Sequence, residues 1–186
     1  IPLLIDGYDQ IIIIDGRDYP LRSVAEPSKE KSLRGAKDGF VEAMMMNIAL
    51  LRRRIRDNAL IFKIYTVGDV TKTDVALAYM KDRADQDMVK KMDQTLKQLR
   101  LRGLTVTEQT LVEALTGKKL SWCNPFPKVR YSQRPDIIAA HVEEGKLAVI
   151  VDNSPTVILL PAGIFDFLQD IDDYYFPLLT GNYFRF

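Results

Sequence analysis

The sequence predicts an α/β fold of two lobes, each a small mixed β-sheet flanked by helices, with similar β-hairpins near the start and end of the chain. Three observations carry that prediction. "LIDGYDQIIIID", residues 4–15, and "VIVDNSPTVILLP", residues 149–161, share one pattern: aliphatics, an Asp, a turn residue and a second aliphatic run. Between them, apolar residues recur at helical spacing in some segments and form strand-like runs in others. A stretch rich in Pro, Ser, Lys and Gly, residues 25–38, separates the first hairpin from the rest and reads as a linker.

Each element follows from local chemistry. The runs 3–5 and 11–14 flank Asp6 and Gly7, a pair suited to a hairpin turn that needs positive φ, and 19–24 reads as a further extended piece. The expected division is an N-terminal hairpin lobe with its linker over 1–33 and a second α/β lobe over 34–186. Phe40, Met44, Ile48, Leu51 and Ile55 predict a connecting helix over 39–56 with Asp38 as its N-cap. Its last turn, "RRRIRD", sets cations against the negative end of the helix dipole. Strands follow over 60–67 and 73–80, and then Val89, Met92, Leu96 and Leu99 mark an amphipathic helix. Thr105 and Glu108 form a capping box for another helix through Leu115, closed by Gly117. Residues 123–136 are stiffened by Pro125 and Pro127, and Pro135 suits the first position of a helix that carries Ile137, Ile138 and His141 and stops near Gly145. The closing hairpin spans 147–160. Of the 17 aromatic residues, six lie in the last 13 positions, beside Arg185, either as anchors before a membrane span or as simple packing onto the second lobe.

Composition narrows the function. At 186 residues, 47% hydrophobic and 27% charged, the chain is long enough for real cores, and a net charge of +1 argues against wholesale binding to nucleic acid. A single cysteine, Cys123, cannot form an internal disulfide. The aliphatic runs fall short of the roughly 18 to 20 residues of a membrane-spanning helix, so this stretch is expected to be soluble by itself. It shows no charged leader before an apolar stretch, and opening on Ile1 inside an apparent strand is expected of a piece of something longer.

No catalytic set stands out. His141 is the only histidine, so it is either the base of a triad or an ordinary helix residue, and no His-rich metal site is possible. Neither a GxSxG nucleophile elbow nor a GxxxxGK[ST] phosphate loop occurs, and no cofactor is expected. Asp6, Asp15 and Asp152 each border a turn residue, where Asp accepts backbone hydrogen bonds; an enzyme of the phosphohydrolase kind is the alternative use for them. Arg52, Arg53, Arg54 and Arg56 suit phosphate, anionic lipid or a partner's carboxylates, or simply a solvated helix end. The expectation is that Arg52, Arg53 and Arg56 make intralobe pairs, with Asp57 or Glu42, or pairs between subunits. Met44, Met45 and Met46 read as core filling.

"SLRGAKDGFVEAMMMNIALLRRRIRDNAL", "NPFPKVRYSQRPD", "GKLAVIVDNSPTVILLP" and the closing "DDYY" together resemble the soluble N-terminal domain of the GerA family of spore germination membrane proteins. The resemblance covers almost the whole chain. It singles out Arg34, Gly35, Asp38, Gly39 and Phe40, the arginine run with Asp57, Asn124, Pro125 and Pro127, and Arg134, Pro135 and Asp136 as interaction or structural positions. Nutrient-receptor A subunits usually show Pro-Arg-Glu where this chain has Ala36, Lys37 and Asp38, so the wording resembles the stage V sporulation protein AF branch more. The resemblance implies a domain on the cytoplasmic side of the spore inner membrane, followed by transmembrane helices absent here. It further implies an assembly or gating part of an oligomeric ion channel or germinant receptor complex, with other copies of itself and membrane or accessory germination subunits as partners. It carries no catalytic residues. A small-ligand module binding nutrients in the cleft between lobes is the alternative.

Overall fold

The computed structural model describes residues 2–3, 6–7, 12–13, 23–27, 30, 35–68, 72–99, 111–112 and 129–162. In order, the elements are β1 (Pro2–Leu3), β2 (Ile12–Ile13), α1 (Met44–Arg54), β3 (Leu60–Val67), β4 (Thr73–Met80), α2 (Gln86–Gln98), β5 (Arg130–Ser132), α3 (Pro135–Glu143), β6 (Leu147–Val151) and β7 (Val157–Leu160). The expected capping box at Thr105 and the aromatic tail lie outside the described residues, as do Arg34, Asn124, Pro125 and Pro127.

Five strands form one sheet in the order β3-β4-β6-β7-β5, and every described pairing in it is antiparallel. The central strands are apolar on both faces because helices cover both. On one face α1 and α3 place Met44, Leu51, Ile138 and Val142 over Ala76, Ala78, Ala148 and Ile150. On the other, Val89, Met92 and Leu96 of α2 cover Leu77, Tyr79, Val149 and Ile158, with Leu111 in the same cluster. Burial of these side chains, at about 25 cal/mol per Å² of apolar surface, is the main stabilising term.

α2 is also fixed by polar contacts. Asp85 caps it, accepting from Asp87 N and Met88 N. Asp93 accepts from Lys97 Nζ at 2.7 Å and from the Tyr65 hydroxyl of β3 at 2.5 Å. The Lys97 bond first, then the Tyr65 bond, pull the Asp93 carboxyl down to about 2. Burial, reinforced by Asp93, pushes the Tyr65 hydroxyl above the usual tyrosine range.

The two hairpins are built alike, as their sequences predict. β1 pairs β2 with Leu3 opposite Ile12, and β6 pairs β7 with Val149 opposite Ile158, the same register 146 residues later. Gly7 (φ +86) and Asn153 (φ +64) hold the matching left-handed turn position, which glycine and asparagine adopt at least cost.

Helix α1 departs from expectation. It runs from Met44 to Arg54 rather than over 39–56, and its N-cap is Ala43, in extended backbone, not Asp38. The approach to the helix is held in place by other partners: Phe40 N donates to Gln133 O at 2.9 Å, and Val41 exchanges two hydrogen bonds with the Asn47 side chain. The free N–H of Met44 donates instead to Asp152 Oδ1 at 3.0 Å, and Asn153 N donates to Glu42 O at 2.8 Å. The Asp152 turn therefore caps α1 from 108 residues away. This is a structural use for the repeated Asp-turn pattern.

Candidate functional site

Two of the motifs singled out above meet at one corner of the sheet. The chain leaves β5 at Ser132 and enters α3 at Pro135, whose fixed φ and missing N–H suit the first helical position. Arg134, the residue between, is fully buried. Its Nε and Nη2 donate to the two carboxylate oxygens of Asp136 at 3.0 and 2.6 Å, a bidentate fork. Nη2 also donates to Ala36 O at 3.0 Å, and Nη1 to Glu30 O at 3.3 Å. Glu30 returns the contact, its Oε2 accepting from Ser132 Oγ at 3.0 Å and Gln133 N at 2.7 Å.

The chain before α1 is thus tied to this corner at Glu30, Ala36 and Phe40. Gly39 belongs to the same tie, because a Cβ there would sit 2.8 Å from both Ala25 O and Pro27 Cγ. Gly35 is exposed. Residues 35–40 and the "SQRPD" motif are two halves of one joint centred on Arg134.

The arginine-rich end of α1 divides its labour. Arg52 does not find a carboxylate; it donates to the carbonyls of Asp57 at 2.9 Å and Leu60 at 2.8 Å and lies over the Phe62 ring, 5.2 Å from its centroid. Two carbonyls beyond a helix end accept from one planar fork, which explains why the pairing with Asp57 or Glu42 is not formed by this residue. Arg54 makes the ion pair, with Asp38. Asp57 turns the chain into β3 by accepting from Ala59 N at 2.9 Å. Arg53 and Arg56 are exposed; Arg56 Nε donates to Arg53 O at 3.3 Å, and no ion pair reaches either side chain among the described residues. Met44 is buried, but Met45 and Met46 are 64% and 41% exposed, contrary to the expectation of core filling.

His141 sits buried on α3. Its Nδ1 is 3.0 Å from Glu144 Oε2 and 3.1 Å from Lys146 Nζ, and its Nε2 is 3.3 Å from Arg130 Nη1. Arginine and lysine only donate and a carboxylate only accepts, so Nε2 faces a donor while Nδ1 faces both a donor, Lys146, and an acceptor, Glu144. Burial holds the imidazole pKa below its ordinary value, Glu144 opposing and Lys146 and Arg130 adding to the effect. The folded state therefore takes up a proton less readily than the unfolded one. Stability is complete above about pH 6.5 and falls as pH drops below it, at no more than about 1.4 kcal/mol per pH unit. Urea midpoints should thus drop between pH 7.5 and 5.5 for the native chain and change less for His141→Gln. Equal pH dependence in the two would show that His141 is not the group responsible.

Among the described residues no group of three His, Cys, Asp or Glu side chains could hold a metal ion, and no helix is long and apolar enough to cross a membrane. Asn47 and Glu30 are the structural residues that sequence reasoning missed. Asn47 left one trace, a polar residue at a buried phase of an otherwise apolar helix face; Glu30 left none.

A family model described as "Bacillus/Clostridium GerA spore germination protein" matches residues 1–186. The chain is 41% identical over 185 residues to stage V sporulation protein AF of Bacillus subtilis (strain 168), a match covering 100% of this chain and 37% of that protein. It is 34% identical over 170 residues to spore germination protein KA of the same organism, covering 91% of this chain and 30% of that one. The chain thus spans about a third of the length of these relatives. Among solved structures, it is similar to the N-terminal domain of the A subunit of the Bacillus megaterium spore germinant receptor GerK3. That likeness has a TM-score of 0.51 and 30% identity, and covers 68% of this chain and 97% of the other.

Proposed function

Because this chain belongs to the GerA family of Bacillus/Clostridium spore germination proteins, we propose that it is the assembly or gating domain of an oligomeric germination complex in the spore inner membrane. In this reading it faces the cytoplasm, works with membrane and accessory germination subunits and other copies of itself, and contributes to an ion channel or germinant receptor. On the same reading 1–33 is an N-terminal hairpin lobe with its linker and 34–186 is a second α/β lobe whose aromatic tail would lead towards membrane spans. The carrying observation is the family match along the whole chain, joined by likeness to a receptor A-subunit domain. The geometry supports it: Arg134, Asp136, Asp152 and Asn47 serve the rigidity of a scaffold, each engaged with backbone or with one another.

The test compares spores carrying the full-length protein with spores carrying an in-frame deletion of residues 1–186. Cation release after nutrient addition and recovery of germination subunits with the solubilised protein are both measured. Slower release with loss of co-purifying subunits is expected. Unchanged assembly and release, together with a nutrient-induced thermal shift of the intact protein, would overturn the reading in favour of a ligand-binding module.

A further inference from the structure

We propose that the solvent face of α1 is a docking surface for a helix of a partner protein, one that carries an apolar stripe and, at its N-terminal end, carboxylates. The face is defined by exposure. Met44, Asn47, Leu50 and Leu51 point inward, while Met45, Met46, Ala49 and Arg53 are exposed and fall within an arc of about 100° at 3.6 residues per turn. A surface helix ordinarily turns its polar residues outward. Here the uncharged polar residue, Asn47, is buried, and two methionines face solvent beside the exposed arginines.

The charge on this face identifies the occupant. α1 carries no acidic residue, Arg52 and Arg54 are already engaged, and Arg53 and Arg56 are left as guanidinium forks with no ion pair among the described residues. These two cations lie at the C-terminal end of the helix and the methionines at its N-terminal end. A partner helix running antiparallel brings its own N-terminal turn, where carboxylates are stabilised by the dipole, beside Arg53 and Arg56. Ala49, in the middle, lets the two axes approach, and methionine adapts to a partner's apolar shape. A second copy docking by this same face does not fit. Parallel pairing sets arginine against arginine, and antiparallel pairing sets arginine against methionine.

The inference rests on the assembly reading above and adds the surface and its partner's chemistry. The test uses the full-length protein in its native membrane, with Arg53→Lys and Arg56→Lys, treated with a zero-length carbodiimide that joins an amine to a carboxylate in contact with it. Arg54→Lys, facing Asp38, is the internal control that activation and folding are intact. The expected result is an amide bond from position 53 or 56 to an Asp or Glu at the start of a helix in another germination protein. Arg53→Glu with Arg56→Glu, and separately Ala49→Trp, should each cut recovery of that protein about tenfold. An adduct with phosphatidylserine, an adduct with a second copy, or no adduct beyond the control would overturn the inference. If the subunits still co-purify without an adduct at 53 or 56, this surface is wrong and the assembly reading stands. A protein that leaves the membrane alone would sink both.

Discussion

Replacing Arg134 with Gln should lower the stability of the chain by about 3 to 5 kcal/mol, because it strands a carboxylate and two carbonyls at a buried corner. For a chain of this size that is a fall in melting temperature on the order of 10 °C. The guanidinium is fully buried and meets Asp136 through two parallel bonds while closing on Ala36 O and Glu30 O. Asp136 gains a second stabilisation from the N-terminal turn of α3, where a carboxylate faces the positive end of the dipole. Arg134→Lys should recover little, since an ammonium is a point charge and cannot span both carboxylate oxygens and the carbonyls in one plane. A double-mutant cycle with Asp136→Asn gives the coupling, which should be favourable and at least about 1 kcal/mol. Loss of less than about 1 kcal/mol in Arg134→Gln would show that water replaces the fork and that the corner is not a joint. Hydrogen exchange adds a distinguishing readout: amides of residues 35–40 should lose protection together with Gln133, which holds Phe40 N–H through its own carbonyl.

Much of the fold was legible because its signals are local. Pro135 announces the start of α3, Asp6-Gly7 and Asp152-Asn153 announce hairpins, and the aliphatic runs over 60–67 and 73–80 are strands as read. The start of α1 was not legible for a physical reason. Asp38 followed by apolar residues at helical spacing is a sound cap signal, yet the hydrogen bonds that override it come from Gln133 and Asp152, about a hundred residues away. Propensity is a weak prior against tertiary partners of that kind. The arginines show the same limit. Four cations in five positions cannot share one face, which sequence alone establishes, but only the folded chain assigns Arg52 to carbonyls, Arg54 to Asp38, and Arg53 and Arg56 to solvent. Arg134 and Asp136 were singled out with the motif around them, while their partners Glu30 and Ala36, on the other strap of the joint, were not.

Asn47→Leu should be nearly as damaging as the loss of Arg134, although leucine is the better helix former and matches the size of the side chain it replaces. Asn47 lies within the first turns of α1 with no exposed surface. Its Nδ2 donates to Val41 O at 2.6 Å and its Oδ1 accepts from Val41 N at 2.8 Å, so one amide side chain stands in for the neighbouring strand that Val41 lacks. Val41 is itself buried. Leucine leaves both of its backbone groups unsatisfied away from water, at about 1 to 3 kcal/mol each, and the expected total is on the order of 3 kcal/mol after the gain in apolar burial. Asn47→Asp separates the two halves of the pair: it keeps an acceptor for Val41 N–H, removes the donor to Val41 O and adds a buried charge, so it should destabilise at least as much. Met46→Leu, one residue away on the exposed side, is the control and should change stability by less than about 0.5 kcal/mol. Urea unfolding of the three variants settles the order. If Asn47→Leu matches the native chain, the Val41 backbone has another partner, and the extended entry into α1 is held by Phe40 and Asp152 without it.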